Sequence, residues 1–318
     1  MRNPNDLGPR SVLTRRAFGF GAAALLTAGA FVRPARAQEA TRTVDTWIGP
    51  VTLPVEPQRV VAIDSRLDLE PAVALGLPLA GYCGVAAYPF VPVDPAVPVL
   101  ASPPNIEEIL SREPDLAICT DVEGAEDYWP LRTLSGFVPT LPVNFEATWQ
   151  ENLVRLGGWL GREQAAAGFI AGYEAALADL RARRGEAIAN RKIAAVYFNA
   201  FDGTVNIMLG TGTTNVTLAG MVLDDLGGRG PDPSLIGEYG TVSFENLGAV
   251  LGDVDAILVE EDEPDANQLA QFGQFPTWQR LPAVAAGRVR TSYGTYYGGG
   301  YAALHTIQQW DAVYGLIG

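Results

Sequence analysis

The sequence has few of the residues from which proteins build transition-metal sites. Its 318 residues include one histidine, His305, and two cysteines, Cys83 and Cys119. A structural zinc site takes four ligands, nearly all of them Cys or His. We therefore expect no zinc site built by the protein alone, and no resident metal or cofactor. His305 falls in a helical pattern near the carboxyl terminus, where we expect it to have a structural role.

The motifs of nucleophilic and metal-dependent hydrolysis are also missing. The chain has no G-x-S-x-G elbow, no H-E-x-x-H helix and no convincing Ser/His/Asp set. The glycine-rich segment 210–215 lacks the lysine of a P-loop, and we interpret it as a turn that caps a helix. These absences predict a protein that is not an enzyme. The alternative is a secreted α/β hydrolase that works with two carboxylates alone, as glycosidases do.

The hydrophobic runs are too short to span a membrane. Arginines 15 and 16 precede an uncharged apolar run over residues 18–32, whose about 15 residues fall short of the roughly 20 that a bilayer requires. Small residues at the ends of the segment 35–37 then suit a signal peptidase. Residues 1–37 are therefore predicted to be a Tat signal peptide. No cysteine precedes Cys83, so the product is expected in the periplasm without a lipid anchor.

Positive charge is scarce. The full chain carries a formal charge of −14, and removal of residues 1–37 would leave 16 basic and 35 acidic residues, or −19. Such a charge favours solubility and argues against binding to nucleic acid or an anionic membrane surface. A mature chain of 281 residues usually divides into two domains.

Short apolar runs alternate with helical patterns, which predicts an α/β fold. Cys83 and Cys119 each end an apolar run that is typical of a strand. If those strands flank a central one, their backbones lie about 9–10 Å apart, too far for a disulfide, and the bond stays an open question. In the first half of the chain we predict strands at 59–64, 79–83, 116–119 and 138–143, and helices at 67–75, 106–110 and 149–160.

One long helix separates this region from a second α/β region. Residues 162–188 lack proline and repeat apolar side chains at three- and four-residue spacings, which predicts a helix of about 37 Å. We therefore predict an amino-terminal lobe at 38–160, a connecting helix at 161–190 and a carboxyl-terminal lobe at 191–318. In the last of these we predict strands at 192–198, 205–209, 256–259 and 288–291, and helices at 217–226, 243–251, 278–286 and 301–314.

Four segments together resemble the periplasmic siderophore- and cobalamin-binding proteins, the helical-backbone class of ABC solute-binding proteins. The segment PQRVVA at 57–62 is similar to the family's opening strand. NIEEIL at 105–110, followed by EPDL at 113–116, resembles its N-x-E-x-I…P-D-L pattern. In the second half, VSFENL at 242–247 with DAI at 255–257, and WQRLPAV at 278–284 with GRV at 287–289, are similar to two further family patterns.

The resemblance implies two Rossmann-like lobes joined by one rigid helix, with the ligand between them. It implies a solute-binding protein, expected to be a monomer, that delivers a ferric siderophore to the ABC permease dimer of the inner membrane. A hydroxamate siderophore is favoured, with cobalamin, haem or another metal chelate as the alternative. Glu107 and Glu245 correspond to the residues that would meet arginines on the two permease subunits; the alternative is that each only favours a helix dipole.

Ligand contacts are expected just past the predicted strand ends, because open α/β sheets bind ligands at the carboxyl ends of their strands. Arg66 could donate hydrogen bonds to chelating oxygens, unless it only pairs with Asp68 or Glu70. Aromatic side chains at the other strand ends suit a bulky chelate. They are Tyr88 and Phe90 after the second strand, Tyr128 and Trp129 after the third, Phe198 and Phe201 in the second lobe, and Tyr293, Tyr296 and Tyr297 among glycines.

The acidic run 260–263 follows a strand of the second lobe. It could be a solvated loop. If it faces the cleft, it favours a cationic ligand over anionic ferric catecholates.

Overall fold

In the computed structural model, residues 40–199, 203–213, 216–262 and 267–318 are described, except for the side chain of Phe272. The predicted signal peptide at 1–37 lies outside these residues, as do Phe201 and Glu263. Among the residues that are described, none of the helices has the length and apolar character needed to cross a membrane.

A two-stranded hairpin comes first in the described chain. Its strands are β1 (Thr41–Thr46) and β2 (Gly49–Pro54), which pair antiparallel. This hairpin was not predicted from the sequence. Leu53 of β2 is fully buried in the main hydrophobic core, and the ring of Trp47 in the turn lies 5.7 Å from that of Trp159. The hairpin is therefore held by packing against a later helix.

The first lobe is built on a parallel sheet of five strands. Three of its helices lie close to the predicted bounds, and Asn105 caps one of them by accepting a hydrogen bond from the N–H of Glu108 at 3.1 Å. The strands are β3 (Val60–Ala62), β4 (Leu79–Cys83), β5 (Val99–Leu100), β6 (Leu116–Asp121) and β7 (Thr140–Asn144), and the helices are α1 (Leu69–Ala74), α2 (Ile106–Ser111), α3 (Leu131–Leu134) and α4 (Trp149–Leu160).

The strand order in this sheet is β5-β4-β3-β6-β7. Chain order therefore reverses between β3 and β6, as in doubly wound folds that bind ligands at this point. Cys83 on β4 and Cys119 on β6 flank β3, as the sequence argument supposed, and both thiols are buried and free.

A single helix, α5 (Glu163–Asn190), connects the lobes. Its 28 residues rise about 42 Å. Tyr173, Leu177 and Leu180 are buried on its predicted apolar face, whereas Phe169 and Ile170 are half-buried. The helix packs on α4 of the first lobe and on two helices of the second, so it belongs to both cores.

The second lobe repeats the strand order of the first, but its sheet is mixed. The order is β10-β9-β8-β11-β12, with β9 antiparallel to both of its neighbours. The strands are β8 (Ile193–Asn199), β9 (Thr204–Ile207), β10 (Thr241–Val242), β11 (Ala256–Glu261) and β12 (Val289–Tyr293), and the helices are α6 (Leu218–Leu226), α7 (Leu247–Leu251), α8 (Gln268–Phe272), α9 (Pro276–Gln279), α10 (Pro282–Ala285) and α11 (Gly300–Gly315). Short 3-10 helices lie at Pro233–Leu235, Glu238–Gly240 and Phe244–Asn246.

Two helices of the second lobe differ from the predictions. The helix predicted at 278–286 is two short helices, because Pro282 has no N–H to donate and holds Leu281 in an extended conformation (φ −61°, ψ 133°). The helix predicted at 243–251 begins as a 3-10 turn and becomes α-helical only at Leu247.

The lobes share part of their core. One hydrophobic cluster runs from Leu116 of the first sheet through α5 to Leu258 and Trp310 of the second lobe. Glu39–Gly318 accordingly forms one compact unit. The gap between the lobes is therefore a cleft beside a shared core.

Candidate ligand-binding cleft

A cavity of about 610 Å³ lies between the two lobes. Its first-lobe wall consists of Leu67, Pro71, Ala74, the segment 143–149 at the end of β7 and the start of α4, and Asn152 and Leu153 of α4. The second-lobe wall comes from the segment after β9, from α6 and from residues 296–300 after β12. Strands of both lobes thus point their carboxyl ends at the cavity, where open α/β sheets bind their ligands.

A row of aromatic rings crosses the cleft from one lobe to the other. The ring centroid of Trp129 lies 6.4 Å from that of Phe145, and Phe145 lies 6.0 Å from Tyr297 in the opposite lobe. Tyr296 continues the row, 4.6 Å from Tyr297 and 5.5 Å from Tyr197. Spacings of this kind are typical of interacting aromatic pairs. Trp129, Tyr296 and Tyr297 were predicted from the sequence; Phe145 was not.

A second aromatic cluster joins the lobes away from the cavity. Tyr88 and Phe90 of the first lobe meet Tyr293 and His305 of the second, and the Phe90 and His305 rings stack at 4.3 Å. Burial lowers the pKa of His305 to about 4, so the ring is neutral at pH 7. Gly294 has φ +70°, and a Cβ there would lie 2.9 Å from Phe90. Tyr88 and Tyr293 therefore contribute to the contact between the lobes and do not line the cavity.

Arg66 lies at the edge of the cleft, next to the lining residue Leu67. Its guanidinium pairs with Asp64 at 3.3 Å, and not with Asp68 or Glu70 as the alternative interpretation supposed. Its Nε is buried and has no hydrogen-bond partner among the described residues. Burial raises the pKa of Tyr297, and the positive charge of Arg66 opposes this effect. The charge of Arg66 is thus felt at Tyr297, which lines the cavity.

The acidic run begins inside β11, whose last two residues are Glu260 and Glu261, and it supports the cleft wall. Both carboxylate oxygens of Glu260 are engaged: Oε1 accepts from the N–H of Thr295 at 2.9 Å and from that of Tyr296 at 3.3 Å, and Oε2 accepts from the Thr295 hydroxyl. Burial raises the pKa of Glu260 to about 7. Glu261 is buried and accepts from the N–H of Gln268 at 2.7 Å. These two residues are therefore neither a solvated loop nor part of the cavity lining.

Phe198 was predicted to contact the ligand, and its position contradicts this. The side chain is fully buried at 0% exposure in the core of the second lobe. Its ring packs 5.1 Å from Trp278 and 6.2 Å from Phe244. The β8 strand continues one residue further than predicted, to Asn199, so Phe198 lies inside the sheet and not past its end.

Sequence reasoning also missed two aromatic residues that line the cavity. Phe145 follows β7 directly after Asn144, so the rule applied to the other strand ends would have found it. Tyr239 lines the second-lobe wall with 66% of its surface exposed and φ +56°, a left-handed conformation that is rare for tyrosine. No local pattern around Tyr239 predicts this position.

Glu107 and Glu245 lie on separate lobes and are both exposed. Glu107 is in the first turn of α2, and Glu245 is in the 3-10 helix Phe244–Asn246. Among the residues that the structure describes, neither carboxylate forms an ion pair or a side-chain hydrogen bond. Both are free to meet a partner.

The polar groups that line the cleft are mainly hydroxyls and side-chain amides. Over the described ranges, no group of three or more His, Cys, Asp and Glu side chains is placed to hold a metal ion. Thr217 caps α6, because its side chain accepts a hydrogen bond from the N–H of Gly220 at 3.3 Å. The wall can therefore offer hydroxyl groups and aromatic faces to a bound molecule.

Comparisons with known proteins agree with this architecture. A sequence model of periplasmic binding proteins matches residues 101–293. A curated relative, the iron-uptake system-binding protein of Bacillus subtilis (strain 168), is 29% identical over 190 residues, which are 57% of this chain and 56% of the relative. The match thus spans little more than half the length of that relative.

Several solved structures share the fold. A FhuD-fold periplasmic binding protein component of a ferrichrome ABC transporter from Bacillus subtilis has a TM-score of 0.71 at 18% identity, covering 85% of this chain and 98% of the other. Staphylococcus aureus SirA, complexed with staphyloferrin B, has a TM-score of 0.68 at 21% identity, covering 86% and 99%. A periplasmic solute-binding protein from Mycobacterium smegmatis has a TM-score of 0.70 at 15% identity, covering 87% and 98%.

Proposed function

This chain belongs to the periplasmic binding protein family, and we propose that it captures a ferric siderophore, of the hydroxamate type, and delivers it to an ABC permease. The family and the structural neighbours are binding proteins and not enzymes. Relatives named for iron uptake, for ferrichrome transport and for a staphyloferrin complex support an iron chelate as the ligand.

The observation that carries this proposal is the interlobe cleft with its row of aromatic rings. Its volume of about 610 Å³ falls within the range of sites that enclose a small molecule. Phe145 and Tyr297 both line it, one from each lobe, so a chelate held there would touch both lobes at once. Flat aromatic faces suit the apolar linkers of a siderophore, and tyrosine hydroxyls can bond to its oxygens.

We further propose that residues 1–37 direct Tat export and are removed, so that the protein works as a monomer in the periplasm without a lipid anchor. The permease dimer of the inner membrane would then receive the loaded protein. Glu107 and Glu245 would each contact one permease subunit, since the two carboxylates are exposed and lie on different lobes.

Titration of the purified mature protein tests the ligand assignment. Quenching of aromatic fluorescence would be followed with ferric hydroxamate, catecholate and carboxylate complexes and with a corrinoid and haem. We expect saturable binding of a ferric chelate, and absorption spectra would identify any haem or corrinoid complex. Preference for the corrinoid or haem would replace the proposed ligand, and failure of every compound to bind would refute the function.

A pair of variants locates the binding. Tyr297→Ala removes a ring from the cleft and should weaken binding about tenfold, or about 1.4 kcal/mol. Phe137→Ala is the matched control, because Phe137 is 65% exposed on the first lobe and does not line the cavity. Equal affinities of the two variants would mean that the chelate binds elsewhere.

A further inference from the structure

The cleft wall contains no positive charge. Of the 24 described residues that line the cavity, Glu146 alone is charged. Its carboxylate is exposed and forms no ion pair within the described part of the chain. The other polar lining side chains are amides and hydroxyls, among them Asn144, Thr211 and Tyr297.

Two guanidinium groups approach the cleft, and both are engaged. Arg66 pairs with Asp64 at 3.3 Å, so a carboxylate compensates its charge. The guanidinium of Arg155 donates a hydrogen bond to the side chain of Asn152 at 3.3 Å. It also lies 5.1 Å from the ring centroid of Trp47, in the turn between β1 and β2. Neither group lines the cavity.

Lysine does not supply a cation to the cleft either. The sequence has a single lysine, Lys192, and its ammonium group pairs with Asp253. Among the undescribed residues, the internal segments 200–202, 214–215 and 263–266 contain no lysine or arginine, and two of these segments contain acidic residues. The mature chain as a whole is strongly acidic. An anionic ligand would thus approach through a repulsive field and lose its hydration shell, while the guanidinium at the cleft edge, that of Arg66, is already paired with Asp64.

From this lining we infer that the cleft selects its chelate by charge, accepting neutral or cationic ferric complexes and rejecting anionic ones. The inference rests on the proposed function and names the class of siderophore within it. Three hydroxamates balance the charge of Fe³⁺, whereas three catecholates leave a trianion and carboxylate siderophores also leave net negative charge. Neutral hydroxyls on the wall can donate to hydroxamate oxygens without requiring an anion.

The decisive experiment changes only the charge of the ligand. A linear ferric trihydroxamate with a free terminal amine is a monocation; acetylation of the amine makes it neutral, and succinylation makes it an anion. Dissociation constants of all three would be measured with the mature protein at low and high salt. We expect the amine and acetyl forms to bind about tenfold or more tightly than the succinyl form, and the difference to shrink in high salt.

A matched pair of variants assigns the effect to the wall. Glu146→Gln keeps the shape of the side chain and removes its charge. It should therefore reduce the difference between the dissociation constants of the amine and succinyl forms. Glu186→Gln removes an exposed charge on α5, away from the cavity, and should leave the difference between the two dissociation constants unchanged.

The outcomes separate the inference from the proposed function. If the succinyl form or a ferric catecholate binds as tightly as the amine form, charge selection is wrong while siderophore binding stands. If none of the ferric complexes binds, the proposed function fails and the inference fails with it. If Glu186→Gln reduces the difference between the dissociation constants as much as Glu146→Gln does, the overall charge of the protein, and not the cleft wall, discriminates between chelates of different charge.

Discussion

The carboxylate of Glu70 accepts a hydrogen bond from the backbone N–H of Ala302 at 2.9 Å. Glu70 lies in α1 of the first lobe, whereas Ala302 is in the first turn of α11 in the second. A Cβ on Gly299 would lie 2.8 Å from the Cβ of Glu70, so this approach requires glycine. Pro71 and Gly299 both line the cavity. A buried carboxyl group at a helix start thus joins the lobes at the edge of the cleft.

Replacement of Glu70 is predicted to change how stability depends on pH. Burial raises the pKa of Glu70 from 4.5 to about 7 in the folded protein. Between these values the folded state holds a proton that the unfolded state releases. The free energy of unfolding therefore falls as pH rises through this window, by up to ~1.4 kcal/mol per pH unit from this group. In Glu70→Gln this contribution is absent, so the variant should gain stability relative to the parent between pH 5 and 7.5.

Urea unfolding at several pH values measures this effect. Glu260, whose pKa is also raised to about 7, and His305, whose pKa is lowered to about 4, are present in both proteins and cancel in the difference. Glu186→Gln, which replaces an exposed glutamate of α5, serves as the control. A constant difference between Glu70→Gln and the parent would mean that Glu70 is already ionised below pH 5.

Arg66→Ala should weaken chelate binding. If Arg66 donates a charge-assisted hydrogen bond to a chelating oxygen, its loss should cost about 1.5–3 kcal/mol of binding free energy. Isothermal titration measures the change. Arg280→Ala removes an exposed arginine from the far side of the second lobe and should have no effect. An unchanged dissociation constant for Arg66→Ala would restrict Arg66 to its pairing with Asp64.

Removal of both proposed docking carboxylates should separate binding from transport. Glu107→Ala with Glu245→Ala should leave the dissociation constant for the chelate unchanged, because both side chains are exposed and neither lines the cavity. Uptake of radioactive iron by cells that carry the double variant should fall strongly. A large loss of affinity, or normal uptake, would refute the docking role.

Phe198→Ala should act on stability. The ring is fully buried beside Trp278, so its loss leaves a cavity and is expected to cost about 3–5 kcal/mol of unfolding free energy. Chemical denaturation measures this cost. Among molecules that remain folded, chelate affinity should match that of the parent. A loss of chelate affinity without a loss of unfolding free energy would show that Phe198 contacts the ligand.

Local pattern was enough to predict most of the elements. The helix Trp149–Leu160, the strand Leu79–Cys83 and the cap at Asn105 all occur where they were predicted, since each depends on residues within one or two turns. The hairpin Thr41–Pro54 was missed because its alternating exposure becomes meaningful only when Leu53 is buried against distant helices.

The amino-acid order by itself determined the sequence of strands, the long connecting helix and the aromatic residues at the strand ends. Tertiary structure alone decided which of those side chains share the cleft: Tyr297 faces Phe145, Tyr88 packs on Tyr293, and Phe198 lies in the core. It also decided that Glu70 meets Ala302, 232 residues further along the chain. The physical reason is that periodicity records which face of an element is buried, whereas the distance between elements depends on how the two sheets pack around α5.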